Sequence, residues 1–101
     1  SIEIIKSIGS PNVKLLYDIY HMQIMSGNIM DFVKENISYI GHFHIAGVPG
    51  RNEPYKCELD FSYIVKEIIK LGYEGYFGLE YWANLDNDES SLRKSLEYLS
   101  E

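Results

Sequence analysis

The chain has 101 residues, 46% of them hydrophobic and 24% charged, an ordinary globular composition with apolar material for one modest core. No run approaches the roughly 20 apolar residues of a membrane span, and no basic segment followed by a short apolar stretch marks a secretion signal. Fifteen acidic against nine basic residues give a formal charge of −6 with the lysines scattered, which argues against a nucleic-acid partner, and the single cysteine, Cys57, excludes an intrachain disulfide, so a cytoplasmic location is the expectation.

In chain order, apolar residues from Ile2 to Ile8 fall at helical spacing, with Gly9 and Pro11 as a stop. The run from Val13 to Tyr20 is β-leaning and predicts a buried strand. Asn28 is positioned to cap a helix whose face is Ile29, Phe32, Val33 and Ile37. A second strand is expected from Tyr39 to Ala46, followed by a loop, 47–58, whose length and paired prolines and glycines suggest function. Asp60 caps a third helix with Phe61, Ile64, Val65, Ile68 and Ile69 on one face and Gly72 as terminator. A third strand, Gly75 to Trp82, and a last helix marked by Leu92, Leu96 and Leu99 after the polar stretch 84–91 complete the chain.

One helix followed by three β-then-α repeats implies parallel strands with right-handed crossovers, a pattern that fits a barrel and a doubly wound sheet alike. No glycine-rich phosphate loop follows any strand, so the usual mark of a nucleotide-binding sheet is missing.

Three polar residues recur near the ends of the three strands: Asp18, His44 and Glu80. In a parallel α/β architecture all carboxyl ends open on one face, so these side chains can converge. Two carboxylates and an imidazole suit a hard or borderline divalent cation such as Mn²⁺, Mg²⁺ or Co²⁺. Period-two alternation places Leu16, Asp18 and Tyr20 together, His42 with His44, and Glu80 with Gly78 and Trp82. Taken singly, a strand-end carboxylate usually caps a helix or meets solvent, and a lone histidine is usually satisfied by hydrogen bonds; the recurrence at equivalent positions gives the metal reading its weight. His21, three residues after Asp18, overhangs the same mouth, and Arg51 in the long loop can offer its fork of donors to a substrate oxygen, so both are candidate substrate contacts. His42 reads as an interior residue.

The segments Asp18-Ile19-Tyr20-His21-Met22-Gln23, His44 through Pro54, and Gly78-Leu79-Glu80-Tyr81 resemble the hydroxypyruvate isomerase family, within the xylose-isomerase-like TIM barrels that also include ketose 3-epimerases. The resemblance covers essentially the whole chain. It implies strands six to eight of such a barrel, with residues 1–101 as its C-terminal part, and a divalent metal held by Asp18, His44 and Glu80 together with a further glutamate from an earlier strand. It further implies that His21 and Arg51 contact substrate oxygens, and that Glu80 doubles as the catalytic proton-transfer group in aldose–ketose interconversion through a cis-enediolate. His44 stands where hydroxypyruvate isomerases often carry Gln, as it does in the epimerases, while the loop 47–54 favours the hydroxypyruvate branch.

The expected substrate is hydroxypyruvate or another small carbonyl sugar, with a ketose 3-epimerase as the alternative within the superfamily. An endonuclease of the apurinic type would call for more histidines and a basic surface. A non-catalytic half-barrel that binds a partner through its open edge is the third reading. A complete barrel takes about 250 residues. The isolated chain is therefore expected to have little turnover and to self-associate through its uncovered strand edges.

Overall fold

The structure is a computed structural model that describes residues 2–10 and 12–100. Pro11, read above as part of a helix stop, lies outside the described residues; Gly9, at φ 69°, supplies the left-handed turn at the end of α1 (Ile2–Ile8).

Three short strands, β1 (Leu15–Asp18), β2 (Ile40–Ile45) and β3 (Tyr76–Leu79), form one parallel sheet in the order β1-β2-β3. The register pairs Asp18 with His44 and His44 with Gly78, which brings the carboxyl ends of all three strands to one edge. The expected α/β class, three parallel strands with flanking helices, is what the chain adopts.

One correction concerns the first strand. It does not run to Tyr20: the chain turns helical at Ile19, and α2 (Ile19–Met25) begins directly on Asp18, whose Oδ1 accepts the His21 N–H at 3.1 Å. Tyr20 therefore leaves the strand face shared by Leu16 and Asp18. The local cause is an N-cap carboxylate meeting the orphan amides of a helix start, which outweighs the β-leaning character of Ile19 and Tyr20.

The next helix, α3 (Ile29–Asn36), follows Asn28, which sits at the cap position in a left-handed conformation (φ 50°) but makes no side-chain capping bond. A 3₁₀ turn (Ile37–Tyr39) leads into β2. In α4 (Phe61–Lys70) the expected cap is present, with Asp60 Oδ1 accepting the Tyr63 N–H at 3.0 Å, and Gly72 follows at φ 92°. The last helix, α5 (Asp88–Ser100), starts inside the stretch expected to be loop. Its Leu92 and Leu96 are exposed, while Ser91 and Ser95 are fully buried. The hydroxyls turn inward because Tyr81 Oη lies 2.9 Å from Ser91 Oγ and 3.0 Å from Ser95 Oγ, which satisfies these polar groups inside the protein.

The core lies between the sheet and the helices. Tyr17, Phe43 and Ile45 from the strands meet Ile19, Val33, Phe61, Ile64 and Ile68 from α2, α3 and α4, all of them buried. Phe43 is the hub: its ring stacks on Phe77 at 5.4 Å and meets Tyr17 and Tyr73 edge-on at 5.9 and 4.9 Å. Because successive strand side chains point to opposite faces, burying Phe43 against the helices turns its neighbours His42 and His44 to the other face. None of the described helices is long and apolar enough to cross a membrane.

Candidate metal and substrate site

The rim where the strands end carries the polar cluster. Asp18 closes β1, His44 stands one residue before the end of β2, and Glu80 follows β3 directly, its N–H donating to Ile45 O at 3.1 Å so that the ladder continues into it. One ligand atom from each of the three lies within 4.8 Å of the others. His44 Nδ1 is 2.8 Å from Glu80 Oε2 and 3.9 Å from Asp18 Oδ2. Ligands about 2.1 Å from a common ion stand roughly 3 to 4.2 Å from one another, so the donor types suit a divalent cation, and the two separations from His44 Nδ1 come close to that spacing while the widest in the cluster would have to close slightly on binding.

Asp18 serves two purposes. Its Oδ1 is taken by the helix start, leaving Oδ2 turned toward the cluster, where His21 Nε2 lies at 3.7 Å and Arg51 Nη2 at 3.9 Å. The capping reading and the ligand reading of a strand-end aspartate hold together, because each uses a different oxygen.

Gly78 makes room for the two imidazoles. A Cβ at that position would lie 2.9 Å from His42 Nε2 and 3.1 Å from His44 Cδ2, so a side chain there would displace the rings, which cross edge-to-face with centroids 4.9 Å apart. His42 lies one step below His44 on the same sheet face and, like it, is half-buried.

The structure places both candidate substrate contacts at this mouth. His21, in the first turn of α2, is half exposed, its ring edge-on to Tyr20 at 5.2 Å. Arg51 donates from Nη2 to Glu80 Oε1 at 2.9 Å and from Nε to the Glu80 carbonyl at 3.4 Å, with its guanidinium 5.3 Å from the Tyr20 ring centroid. Periodicity misplaces Tyr20 in the strand, and the helix that corrects it is what sets its ring beneath Arg51.

The loop carrying Arg51 is tied down by a residue that sequence reasoning overlooks. Glu53 is fully buried, and its carboxylate accepts the N–H of Asn84 at 2.9 Å, the N–H of Leu85 at 2.9 Å and the Ser91 hydroxyl at 3.0 Å. Burial alone would raise its pKa, but the amides of Leu85 and Asn84, its own N–H and the Ser91 hydroxyl outweigh burial and hold it below 4.5. A carboxyl depressed in the folded state contributes stability that is fully present above its unfolded pKa and is lost as pH falls through the folded value. The expected result is a melting temperature that declines as pH drops below about 4.5, with a shallower decline in Glu53→Gln, measured by circular dichroism across a pH series.

The profile of the xylose isomerase-like TIM barrel family matches residues 1–101, and the chain belongs to that family. Among curated relatives it is 44% identical over 78 residues to the 2-oxo-tetronate isomerase of Cupriavidus necator, covering 77% of this chain and 30% of that protein. It is 38% identical over 81 residues to the hydroxypyruvate isomerase of Escherichia coli, covering 80% of this chain and 31% of that protein. The crystal structure of an AP endonuclease, family 2, from Brucella melitensis superposes with a TM-score of 0.87 at 33% identity, covering 96% of this chain and 37% of that one. The chain thus spans about a third of the length of the curated relatives it matches.

Proposed function

We propose that residues 1–101 furnish the C-terminal part, strands six to eight, of a barrel that interconverts carbonyl and hydroxyl positions on a small 2-oxo acid or sugar such as hydroxypyruvate, with Asp18, His44 and Glu80 as three ligands of a divalent metal. The observation that carries this reading is the convergence of those three donors within 4.8 Å at the carboxyl ends of neighbouring parallel strands, where barrel enzymes place their chemistry. When bound, a divalent ion supplies Lewis-acid stabilisation of negative charge on substrate oxygens.

The chain's own residues do the rest. Glu80 directs Oε2 toward His44 and Asp18, leaving Oε1, beside Arg51 Nη2, to take a proton from the carbon next to the carbonyl. Arg51 and His21, each within 4 Å of Asp18 Oδ2, bind and orient substrate oxygens, donors aimed where charge develops. Tyr20 backs the guanidinium and keeps it directed at the rim. A net charge of −6, with Arg51 as the cation beside the carboxylates, favours a small polar substrate over a nucleic-acid backbone. His44 keeps the epimerase reading in view, because proton removal and return on one carbon would use the same donors.

The test is metal affinity in the complete protein. His44→Ala is expected to weaken Mn²⁺ binding by about 100-fold or more, read by titration with electron paramagnetic resonance. An affinity unchanged by that substitution would place the metal elsewhere and end this reading.

A further inference from the structure

We propose that Glu53 is a positioning residue for Arg51: its buried carboxylate clamps the loop after β2 to the loop after β3 and so fixes the guanidinium against Glu80. The inference rests on the functional reading above, since it assigns Glu53 to the substrate side of the same site.

Arg51 holds a left-handed backbone conformation, φ 60°, which a non-glycine residue adopts only when its surroundings enforce it. Within its own loop Asn52 pairs with Gly47 through two backbone bonds of 2.8 and 3.2 Å, and the other contacts join this loop to the one after β3. The Trp82 N–H donates to Arg51 O at 2.8 Å, and Asn52 Nδ2 donates to Trp82 O at 2.9 Å. Two residues beyond Arg51, Glu53 reaches past Trp82 to the amides of Asn84 and Leu85 and to Ser91 on α5. Tyr55 then donates to Asp86 Oδ2 at 2.7 Å. The bonds advance in register along both loops, so the Arg51 to Glu80 pairing is the first rung of a ladder whose buried anchor is Glu53.

A charge is rarely hidden from solvent without a cationic partner, and Glu53 finds only backbone amides and a hydroxyl among the described residues. Such an arrangement satisfies loop donors that would otherwise be orphaned when two loops meet away from water. It does not touch the rim donors: Glu53 makes no bond to Asp18, His44 or Glu80 among the described residues. Its influence on the site runs through Arg51.

The experiment follows hydrogen exchange at the Trp82 amide and the Arg51 Nε–H by NMR in the complete protein, comparing Glu53→Ala, Glu53→Gln and Ser91→Ala. Glu53→Ala is expected to speed exchange at both positions about tenfold or more while the amides of the β1-β2-β3 ladder stay protected. Glu53→Gln keeps one oxygen that can accept two of the donors on Oε2 but sets an NH2 where Oε1 faces the Asn84 N–H, so exchange at both positions is expected to fall between that of alanine and wild type. Should the alanine variant lose ladder protection altogether, Ser91→Ala decides, with faster exchange at Trp82 expected from the loss of one donor. Wild-type protection of Trp82 and Arg51 Nε–H in a folded Glu53→Ala protein would overturn the proposal, as would a glutamine variant no better than alanine, or, where alanine unfolds, an unchanged Ser91→Ala. Mn²⁺ affinity measured alongside separates the two readings: Glu53→Ala should leave it within about threefold, whereas a wild-type protein that binds no Mn²⁺ would remove the metal site and leave the clamp measurement standing.

Discussion

Replacing Glu80 by Gln in the complete protein is expected to lower kcat by on the order of 1000-fold while the metal stays bound. Glutamine has the shape of glutamate and keeps an oxygen to offer the cation or Arg51, but its amide cannot take up a proton from carbon at neutral pH. The two oxygens of Glu80 already face different tasks, Oε2 at 2.8 Å from His44 Nδ1 and Oε1 at 2.9 Å from Arg51 Nη2, so ligation and proton transfer can be separated by this one substitution. Two measurements are needed: incorporation of solvent deuterium into the substrate carbon, which should vanish, and Mn²⁺ titration, which should show binding weakened by about tenfold or less. Turnover within about tenfold of wild type would assign the proton to another group.

The site's strand-borne members were legible because sheet physics constrains them. Asp18, His44 and Glu80 each follow an apolar run at an equivalent position, and parallel pairing then leaves little freedom over where they meet. His21 was legible from its distance to Asp18 and Arg51 from the long loop after His44, and the structure sets both side chains near Asp18 Oδ2. Tyr20 was not, because an apolar and aromatic sequence after Asp18 suits a strand as well as a helix. The decision falls to one hydrogen bond, the His21 N–H to Asp18 Oδ1.

Glu53 and the serines of α5 escaped for a different reason. Composition treats glutamate and serine as surface residues. Whether they are buried depends on two loops, 47–58 and 80–87, meeting after β2 and β3, which no local period encodes. The spacing of Leu92, Leu96 and Leu99 identifies a helix correctly, but only Leu99 packs toward the core, because Tyr81 and Glu53 recruit Ser91 to the interior. Leu92, Leu96 and Trp82 are left exposed beside the free edge of β3, the surface on which self-association of the isolated chain is expected.

The largest expected loss of stability comes from β2, on the face opposite His44. Phe43→Ala should destabilise the fold by about 3–5 kcal/mol, because it removes a fully buried ring and leaves a cavity among rigid neighbours that cannot collapse to fill it. Tyr17, Tyr73 and Phe77 all pack on that ring, and each is itself fixed, Tyr17 by stacking on Phe32 at 5.2 Å and Tyr73 by donating to Tyr76 O at 2.8 Å. Urea melts followed by circular dichroism measure the change, and a loss below about 1 kcal/mol would mean that the sheet repacks freely around β2. The site should respond only through folding: in the fraction that remains native, His42 and His44 keep their face of the strand, since parallel pairing to β1 and β3 and not the aromatic ring sets their register. Mn²⁺ affinity corrected for the folded fraction is therefore expected to hold while the melting midpoint falls, which separates what the core contributes to stability from what the rim contributes to chemistry.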